Sequence, residues 1–147
     1  MESIYYKMPL RFDPYSNESG EWFERCSEKE SIDYFLEVLL TTCPGEHRFD
    51  KKFGTAIWEM DFERIVSLSE WKNRFITYLS EAVSRYEKRI TNVIYDVQVS
   101  DVVRETNLDK NVSVRKRVDI FIHASLISTN ERCCFHYELF MGPLSKE

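Results

Sequence analysis

Apolar residues recur at helical spacing in two segments of the chain, and each segment begins with a capping signal. Ser27-Glu28-Lys29-Glu30 is a capping-box sequence, in which the Ser and Glu side chains satisfy backbone N–H groups at a helix start. The apolar positions that follow it at helical spacing are Ile32, Phe35, Leu36 and Leu39. This pattern predicts an amphipathic helix with one buried face, which Pro44-Gly45 ends.

A second capping-box sequence, Ser67-Leu68-Ser69-Glu70, precedes a longer helical pattern. One side of that predicted helix carries Trp71, Phe75, Tyr78, Leu79, Ala82 and Tyr86. Between the two helices, residues 46–54 form a polar loop with Phe49 and Phe53 as two aromatic anchors. A short helical piece is predicted from Ile57 to Phe62.

Beyond Arg89 the apolar period changes from helical to alternating, which is typical of half-buried strands. The three apolar sets are Val93, Tyr95, Val97 and Val99; Val118, Ile120, Ile122, Ala124 and Leu126; and Cys133, Phe135, Tyr137, Leu139 and Met141. Residues 107–111 are predicted to be a loop. If Thr129-Asn130 are the central residues of a hairpin turn, Ala124 lies opposite Phe135 and His123 lies opposite His136.

The order of these elements predicts an α+β fold, with two main helices and a short helix between them, followed by a three-stranded antiparallel meander packed on the long helix. Residues 1–26 carry Met8-Pro9-Leu10, Asp13-Pro14 and Ser19-Gly20, which break regular structure. We therefore predict an N-terminal arm over residues 1–26 and a single domain over residues 27–147. The 147 residues, 43% of them hydrophobic, suit one core.

Charge and hydropathy exclude several classes of partner. The net charge of −5 argues against the electropositive surface that nucleic-acid binding requires. No apolar run approaches the roughly 20 residues that span a bilayer, and the first seven residues lack the basic-then-apolar order of a signal peptide. We interpret the chain as cytoplasmic, without membrane insertion. Its four cysteines contain no CxxC pair, so they are predicted to be reduced structural thiols.

No local motif of enzymatic catalysis is present, and no cofactor is predicted. The sequence contains no G-x-S-x-G elbow, no Gly-rich phosphate loop and no H-E-x-x-H. A glycosidase needs two carboxylates that flank a cleft; Glu28, Glu30 and Glu70 are already explained by helix starts. Muramidase-type activity stays open as the alternative function.

The predicted pair of His123 and His136, with Cys134 on the same sheet face, is the arrangement that most resembles a metal site. Imidazole and thiolate groups are suitable ligands for transition metals. A fourth ligand is not evident, so the prediction is that no metal binds, and a metal-dependent binding module remains a third interpretation.

Glu87-Lys88-Arg89 lies where the long helix passes into the first long strand. An arginine there can bind a carboxylate or carbonyl oxygens with fixed orientation, although cations at a helix C-terminus are also favoured by the helix dipole alone. We expect this corner to present Glu87 and Arg89 outward, to a partner protein.

Two motifs give the chain a resemblance to a known family. Leu39-Leu40-Thr41-Thr42-Cys43-Pro44-Gly45-Glu46-His47-Arg48 is followed by Phe53-Gly54 and Trp58, and Glu87-Lys88-Arg89-Ile90 follows the long helix. The sequence resembles the baseplate wedge family of contractile injection machines, which includes the gene-25-type wedge protein of contractile phages and TssE of type VI secretion systems. The sequence patterns of that family are L-L-T-x-P-G-E-R, an aromatic–Gly pair and E-P-R-I. Residues 9–13 of this chain give a further match. Lys88 replaces the family proline, which removes the stiffness that proline gives the chain.

The resemblance implies a non-enzymatic structural subunit. In that family the subunit joins the baseplate wedge proteins, TssF and TssG in type VI terms, and offers a platform for the contractile sheath. Glu87, Lys88 and Arg89 would be the partner-docking residues, and an edge of the sheet could pair with a sheath strand. The first motif would be structural, through Pro44, Gly45, Glu46, Phe53 and Gly54. The family has been called lysozyme-like, but the sequence displays no catalytic pair.

Overall fold

The computed structural model of the chain describes residues 3–10, 23–60, 67–105 and 112–141. Its elements in chain order are β1 (Tyr5–Tyr6), β2 (Arg25–Cys26), α1 (Glu28–Thr41), a 3-10 helix (Ala56–Glu59), α2 (Leu68–Tyr86), β3 (Ile90–Glu105), β4 (Val112–Leu126) and β5 (Arg132–Met141). The long strands form an antiparallel sheet in the order β3-β4-β5. The predicted α+β fold with a three-stranded meander is therefore confirmed.

Helix α1 begins with the capping box that the sequence predicts. The Ser27 hydroxyl accepts a hydrogen bond from the Glu30 backbone N–H at 3.2 Å, and the Glu30 carboxylate accepts one from the Ser27 N–H at 2.9 Å. The buried face of the helix consists of Ile32, Leu36, Leu39 and Leu40. Phe35, which was expected on that face, is half-buried, and its ring packs edge-on against Phe53.

Helix α2 forms only half of the second predicted capping box. The Ser67 hydroxyl accepts from the Glu70 N–H at 3.1 Å, but the Glu70 carboxylate accepts from Arg74 Nη2 at 2.8 Å, one turn further along. An i,i+4 ion pair has replaced the reciprocal bond to the N-cap. The buried residues of α2 are Trp71, Phe75, Leu79, Ala82 and Val83, with Tyr78 and Tyr86 half-buried against the core.

The hairpin between β4 and β5 differs from the predicted register by two residues. Ala124 lies opposite Cys133, and His123 lies opposite Cys134. The loop has four residues, Ile127 to Asn130, because the Leu126 N–H donates to the Glu131 carbonyl at 2.9 Å. Asn130 ends the loop with a φ of 59°. A shift of two residues keeps every side chain on its predicted face, so the alternating pattern could not reveal the error.

The core is one cluster that contains the apolar faces of both helices and one face of the sheet. Among its least exposed members are Ile32, Leu36, Phe75, Leu79, Val118, Ile120 and Ile122. Packing of two helices on one apolar sheet face removes all three surfaces from water, which is the main favourable contribution to folding. Neither of the two described α-helices is long and apolar enough to cross a membrane.

Four predictions for the segments outside the main elements are corrected by the structure or fall partly outside the described residues. The short helix is a 3-10 turn over Ala56–Glu59, and Phe62 lies outside the described residues. Part of the predicted arm is regular, because β1 and β2 form a two-residue antiparallel pair. Three further predicted features also lie outside the described residues. They are the arm from residue 11 to 22, the part of the match at residues 9–13 beyond Leu10, and the loop at residues 107–111. The domain boundary at residue 27 stays a prediction.

Candidate functional site

The corner after α2 is built around a nearly buried ion pair. Glu87 is only 4% exposed and accepts two hydrogen bonds from the Arg89 guanidinium, one from Nε and one from Nη2, each 2.8 Å long. The Arg89 backbone N–H adds a third bond to Glu87 Oε1 at 3.0 Å. A buried carboxylate is tolerated when it is paired and hydrogen-bonded in this manner.

Arg89 also joins segments that are far apart in the sequence. Its Nη1 donates to the Ser31 hydroxyl on α1 at 2.8 Å, and its guanidinium lies 5.3 Å from the ring centre of Tyr5 in β1. Its carbonyl accepts from the Ile127 N–H of the hairpin loop at 2.9 Å. The pKa of Arg89 is raised, chiefly by its hydrogen bonds to Glu87. Arg89 thus connects β1, α1, α2 and the β4–β5 loop.

The expectation that Glu87 and Arg89 both point outward is wrong. The Glu87 side chain is 2% exposed and the Arg89 side chain 26% exposed, and each is engaged by the chain's own groups. Lys88 between them is exposed, and its ammonium donates to the Ser84 carbonyl at the end of α2. The physical reason is that an acid and an arginine two residues apart can pair with each other, which makes burial of the acid possible. The docking role of residues 87–89 stays a prediction.

The first motif forms a tight turn directly after α1. Glu46 closes it twice, because its carboxylate accepts from the Cys43 N–H at 3.2 Å and its own N–H donates to the Cys43 carbonyl at 3.1 Å. Pro44 and Gly45 lie inside this turn, and Gly45 has a φ of 96°, which favours glycine. The Gly45 N–H donates to the Lys51 carbonyl at 2.9 Å and so closes the base of the loop.

Gly54 brings the loop back against the end of α1. Its φ is 123°, and a Cβ at this position would lie 2.5 Å from the Thr42 carbonyl oxygen. The next residue, Thr55, donates its N–H to that same carbonyl at 3.0 Å. The Trp58 indole N–H donates to the Leu40 carbonyl at 2.8 Å. The Leu40 and Thr42 carbonyls at the end of α1 are therefore satisfied by the returning chain, as helix ends require.

Phe53 joins this loop to the end of α2. Its ring centre lies 5.0 Å from that of Tyr86 and 5.2 Å from that of His47. The Tyr86 hydroxyl donates to Asp50 Oδ2 at 3.0 Å. Tyr86 immediately precedes Glu87, so the two motif segments meet at this tyrosine. Phe49, the second predicted anchor, is 88% exposed; its ring lies edge-on to His47 of the same loop, with 6.3 Å between ring centres, and is not part of the core.

Sequence reasoning did not find Tyr5, Ser31, Asp50 or Tyr86 as partners of the motif segments. The sequence pattern assigns Tyr86 only to the buried face of the long helix, and Asp50 has no distinguishing neighbour. No local signal could have identified Tyr5 or Ser31, because their contacts with Arg89 depend on the folded arrangement of distant segments.

The solvent-facing side of the sheet holds the candidate metal residues in a different arrangement from the predicted one. His136 lies opposite Phe121, and the two rings stack at 4.5 Å. His136 Nε2 is 3.0 Å from Asp119 Oδ1, and His123 lies opposite Cys134. Among the described residues, no group of three His, Cys, Asp or Glu side chains is placed to hold a metal ion. All four cysteines are free, and burial raises the pKa of Cys26, Cys43 and Cys133.

A cleft of about 200 Å³ between α1 and β5 gathers three carboxylates, those of Asp33, Glu37 and Glu138. Asp33 accepts from the Tyr137 hydroxyl at 2.7 Å, and Glu138 accepts from Arg117 Nη2 at 2.8 Å. A glycosidase would need one protonated carboxylic acid beside an apolar wall. In this cleft two of the three carboxylates instead accept hydrogen bonds from donors of the same chain.

A family model described as "Baseplate wedge protein gp25" matches residues 26–131, which include both motif segments and most of the sheet. A similar solved structure is that of a Geobacter sulfurreducens protein described as a "putative tail lysozyme". It has a TM-score of 0.58 and 20% sequence identity, over 82% of this chain and 96% of the other. At that identity the likeness concerns the fold alone.

Curated relatives include the 2-succinyl-5-enolpyruvyl-6-hydroxy-3-cyclohexene-1-carboxylate synthases of Staphylococcus aureus strains MSSA476 and JH9. Each is 31% identical over 111 residues, which is 76% of this chain. The aligned region spans only 17% of each synthase. The synthase activity belongs to proteins several times longer and is not transferred to this chain.

Proposed function

Because the chain belongs to the gp25 family of baseplate wedge proteins, we propose that it is a non-enzymatic subunit of the baseplate of a contractile injection machine. A structural role in a phage-tail-like baseplate follows from the family. The finer proposal is a TssE-like subunit of a type VI secretion system, acting in the cytoplasm. It would dock on wedge proteins like TssF and TssG and provide a platform for the sheath.

The observation that carries this proposal is the family match over residues 26–131, because it includes both motif segments. The geometry supports it physically. Arg89 bonds Glu87 and Ser31 and stacks on Tyr5, so the corner is rigid, and a rigid surface loses less entropy when it binds. We propose that docking at this corner uses the exposed Lys88 and the quarter of Arg89 that remains accessible, with Glu87 as an internal support.

The sheet offers a second contact of a different kind. In the described sheet β3 and β5 are the outer strands, each paired on one side only, with β4. An unpaired strand edge can accept a strand from another protein through backbone hydrogen bonds. We propose that a sheath strand adds to one of these edges.

Copurification from the native cell tests the proposal. A tagged chain is expected to recover baseplate wedge and sheath proteins, identified by mass spectrometry. Lys88→Glu is expected to reduce the recovery of wedge proteins, while Lys116→Glu, an equal charge change at the other end of the sheet, leaves it unchanged. Lys116 pairs with the exposed Asp101, and such exposed pairs contribute little stability. Recovery of no baseplate protein by the wild-type chain would refute the proposed function.

Peptidoglycan cleavage by a glycoside hydrolase is the alternative, motivated by the acidic cleft between α1 and β5 and by the fold neighbour's description. Purified chain incubated with cell-wall sacculi is expected to release no muropeptides. Reproducible release that Glu37→Gln abolishes would establish the alternative in place of the structural role.

A further inference from the structure

Phe49 is the most exposed large apolar side chain in the described part of the molecule. It is 88% exposed, against 67% for Ile94, the next in order. Single exposed apolar residues are common on protein surfaces and have no meaning by themselves. The structure around Phe49 distinguishes it, because the loop beneath it is held rigidly.

Hydrogen bonds fix the loop on both sides of Phe49. The Gly45 N–H donates to the Lys51 carbonyl at 2.9 Å and closes the loop. The Asp50 N–H donates to His47 Nδ1 at 3.1 Å, a bond that spans Phe49 itself. The Asp50 carboxylate accepts from the Tyr86 hydroxyl, which ties this side of the loop to α2. A side chain presented from a fixed base loses little conformational freedom when it is bound.

Cationic side chains outnumber carboxylates in the segment around Phe49, although the whole chain has a net charge of −5. The Arg48 guanidinium lies 5.7 Å from the centre of the Phe49 ring, and Lys51 and Lys52 are exposed. The two carboxylates of the segment keep their charge but are held within the chain: Glu46 accepts from the Cys43 N–H, and Asp50 accepts from the Lys52 N–H and the Tyr86 hydroxyl. The segment therefore offers a phenyl ring among three cationic side chains and two carboxylates, which leaves residues 46–52 with a small excess of positive charge.

We propose that residues 46–52, here called the Phe49 knob, insert into an apolar pocket bordered by carboxylates on another baseplate protein. Aromatic and arginine side chains at the centre of an interface commonly provide most of the binding energy. Carboxylates on the partner would complement the excess positive charge of this segment, and complementary charge speeds encounter and excludes wrong partners. This inference rests on the proposed function and adds a contact separate from Lys88 and from the strand edges.

The test measures affinity for a purified partner. The wedge protein recovered with the wild-type chain is expressed alone, and its Kd for the chain is determined by calorimetry. Phe49→Ala is expected to weaken binding about 10- to 100-fold, with an unchanged melting temperature because the side chain is exposed. Ile94→Ala, the matched exposed apolar control on the solvent-facing side of the sheet, should stay within about twofold of wild type. Arg48→Glu is expected to slow association, and the effect should diminish at high salt.

Each contrary outcome has a distinct meaning. If Phe49→Ala and Arg48→Glu both bind the partner with wild-type affinity, the proposed role of the Phe49 knob is wrong, and the proposed function is unaffected. Recovery of no baseplate protein by the wild-type chain would overturn both. Sedimentation of the purified chain that showed self-association dependent on Phe49 would mean that a second copy occupies the knob, and the proposed baseplate partner would be wrong.

Discussion

Glu87 and Arg89 are two residues apart, where the helical chain of α2 becomes extended, and side chains at that spacing lie on the same side of a strand. The arginine can therefore bind the acid with two parallel hydrogen bonds, each 2.8 Å long. The consequences for the two residues are unequal. Glu87 has almost no access to water, whereas Arg89 keeps 26% of its side chain exposed and can be partly hydrated without its partner.

Removal of the arginine should therefore destabilise the protein more than removal of the acid's charge. Arg89→Ala leaves a buried carboxylate unpaired and is expected to cost about 3–5 kcal/mol. Glu87→Gln keeps an acceptor for Arg89 and is expected to cost about 1–3 kcal/mol. Urea unfolding of both variants measures the difference. Equal stability of Arg89→Ala and wild type would show that the corner does not depend on the pair.

Asp50 should make stability fall at acidic pH. Its pKa lies below the usual range, first because the Lys52 backbone N–H bonds the carboxylate and then because the Tyr86 hydroxyl does. The depressed pKa favours the folded state above the unfolded value of about 3.9, and this contribution is lost as pH falls through the folded pKa. Asp50→Asn is therefore expected to be less stable than wild type at neutral pH, with a gap that narrows below about pH 5. A gap in urea unfolding that is constant with pH would contradict this assignment.

At the scale of elements, the sequence patterns predicted what depends on local periodicity. The capping box at Ser27 and the alternation of the three long strands both fix structure within a few residues, and both are confirmed. The predicted hairpin register between β4 and β5 is wrong by two residues, because the bond from the Leu126 N–H to the Glu131 carbonyl closes a loop of four residues instead of the two predicted. The partners of Arg89 were unpredictable for another reason: Tyr5 and Ser31 reach it only through tertiary packing.

The two glycines of the loop after α1 have different surroundings, so substitutions at the two positions are expected to differ in their effect on stability. Gly45 and Gly54 both have positive φ, but an added Cβ meets nothing within 4 Å at Gly45 and lies 2.5 Å from the Thr42 oxygen at Gly54. Gly45→Ala should cost about 1–2 kcal/mol of backbone strain alone. Gly54→Ala should cost at least about 3 kcal/mol, since the clash involves backbone. Thermal unfolding of the two variants measures the two losses of stability. Equal losses would mean that the loop does not pack tightly against the end of α1.

For the whole molecule, the two motif segments lie on one body and meet at Tyr86, while the sheet extends from the second of them. The internal bonds of Glu87, Arg89, Glu46 and Gly45 hold these segments in one frame. The frame leaves Lys88, Phe49 and the strand edges available to other proteins. This division between buried support and exposed contact suits a subunit that remains in an assembly, as proposed for this member of the gp25 family.

The stoichiometry of sheath assembly tests that claim most directly. Baseplates prepared from cells that lack the chain are supplied with purified protein at increasing ratios, and assembled sheaths are counted by electron microscopy. A structural subunit predicts that sheath number rises in proportion to the chain added, and that the chain is retained in every assembled baseplate. Full assembly from a small fraction of one copy per baseplate, with no chain retained, would contradict the account.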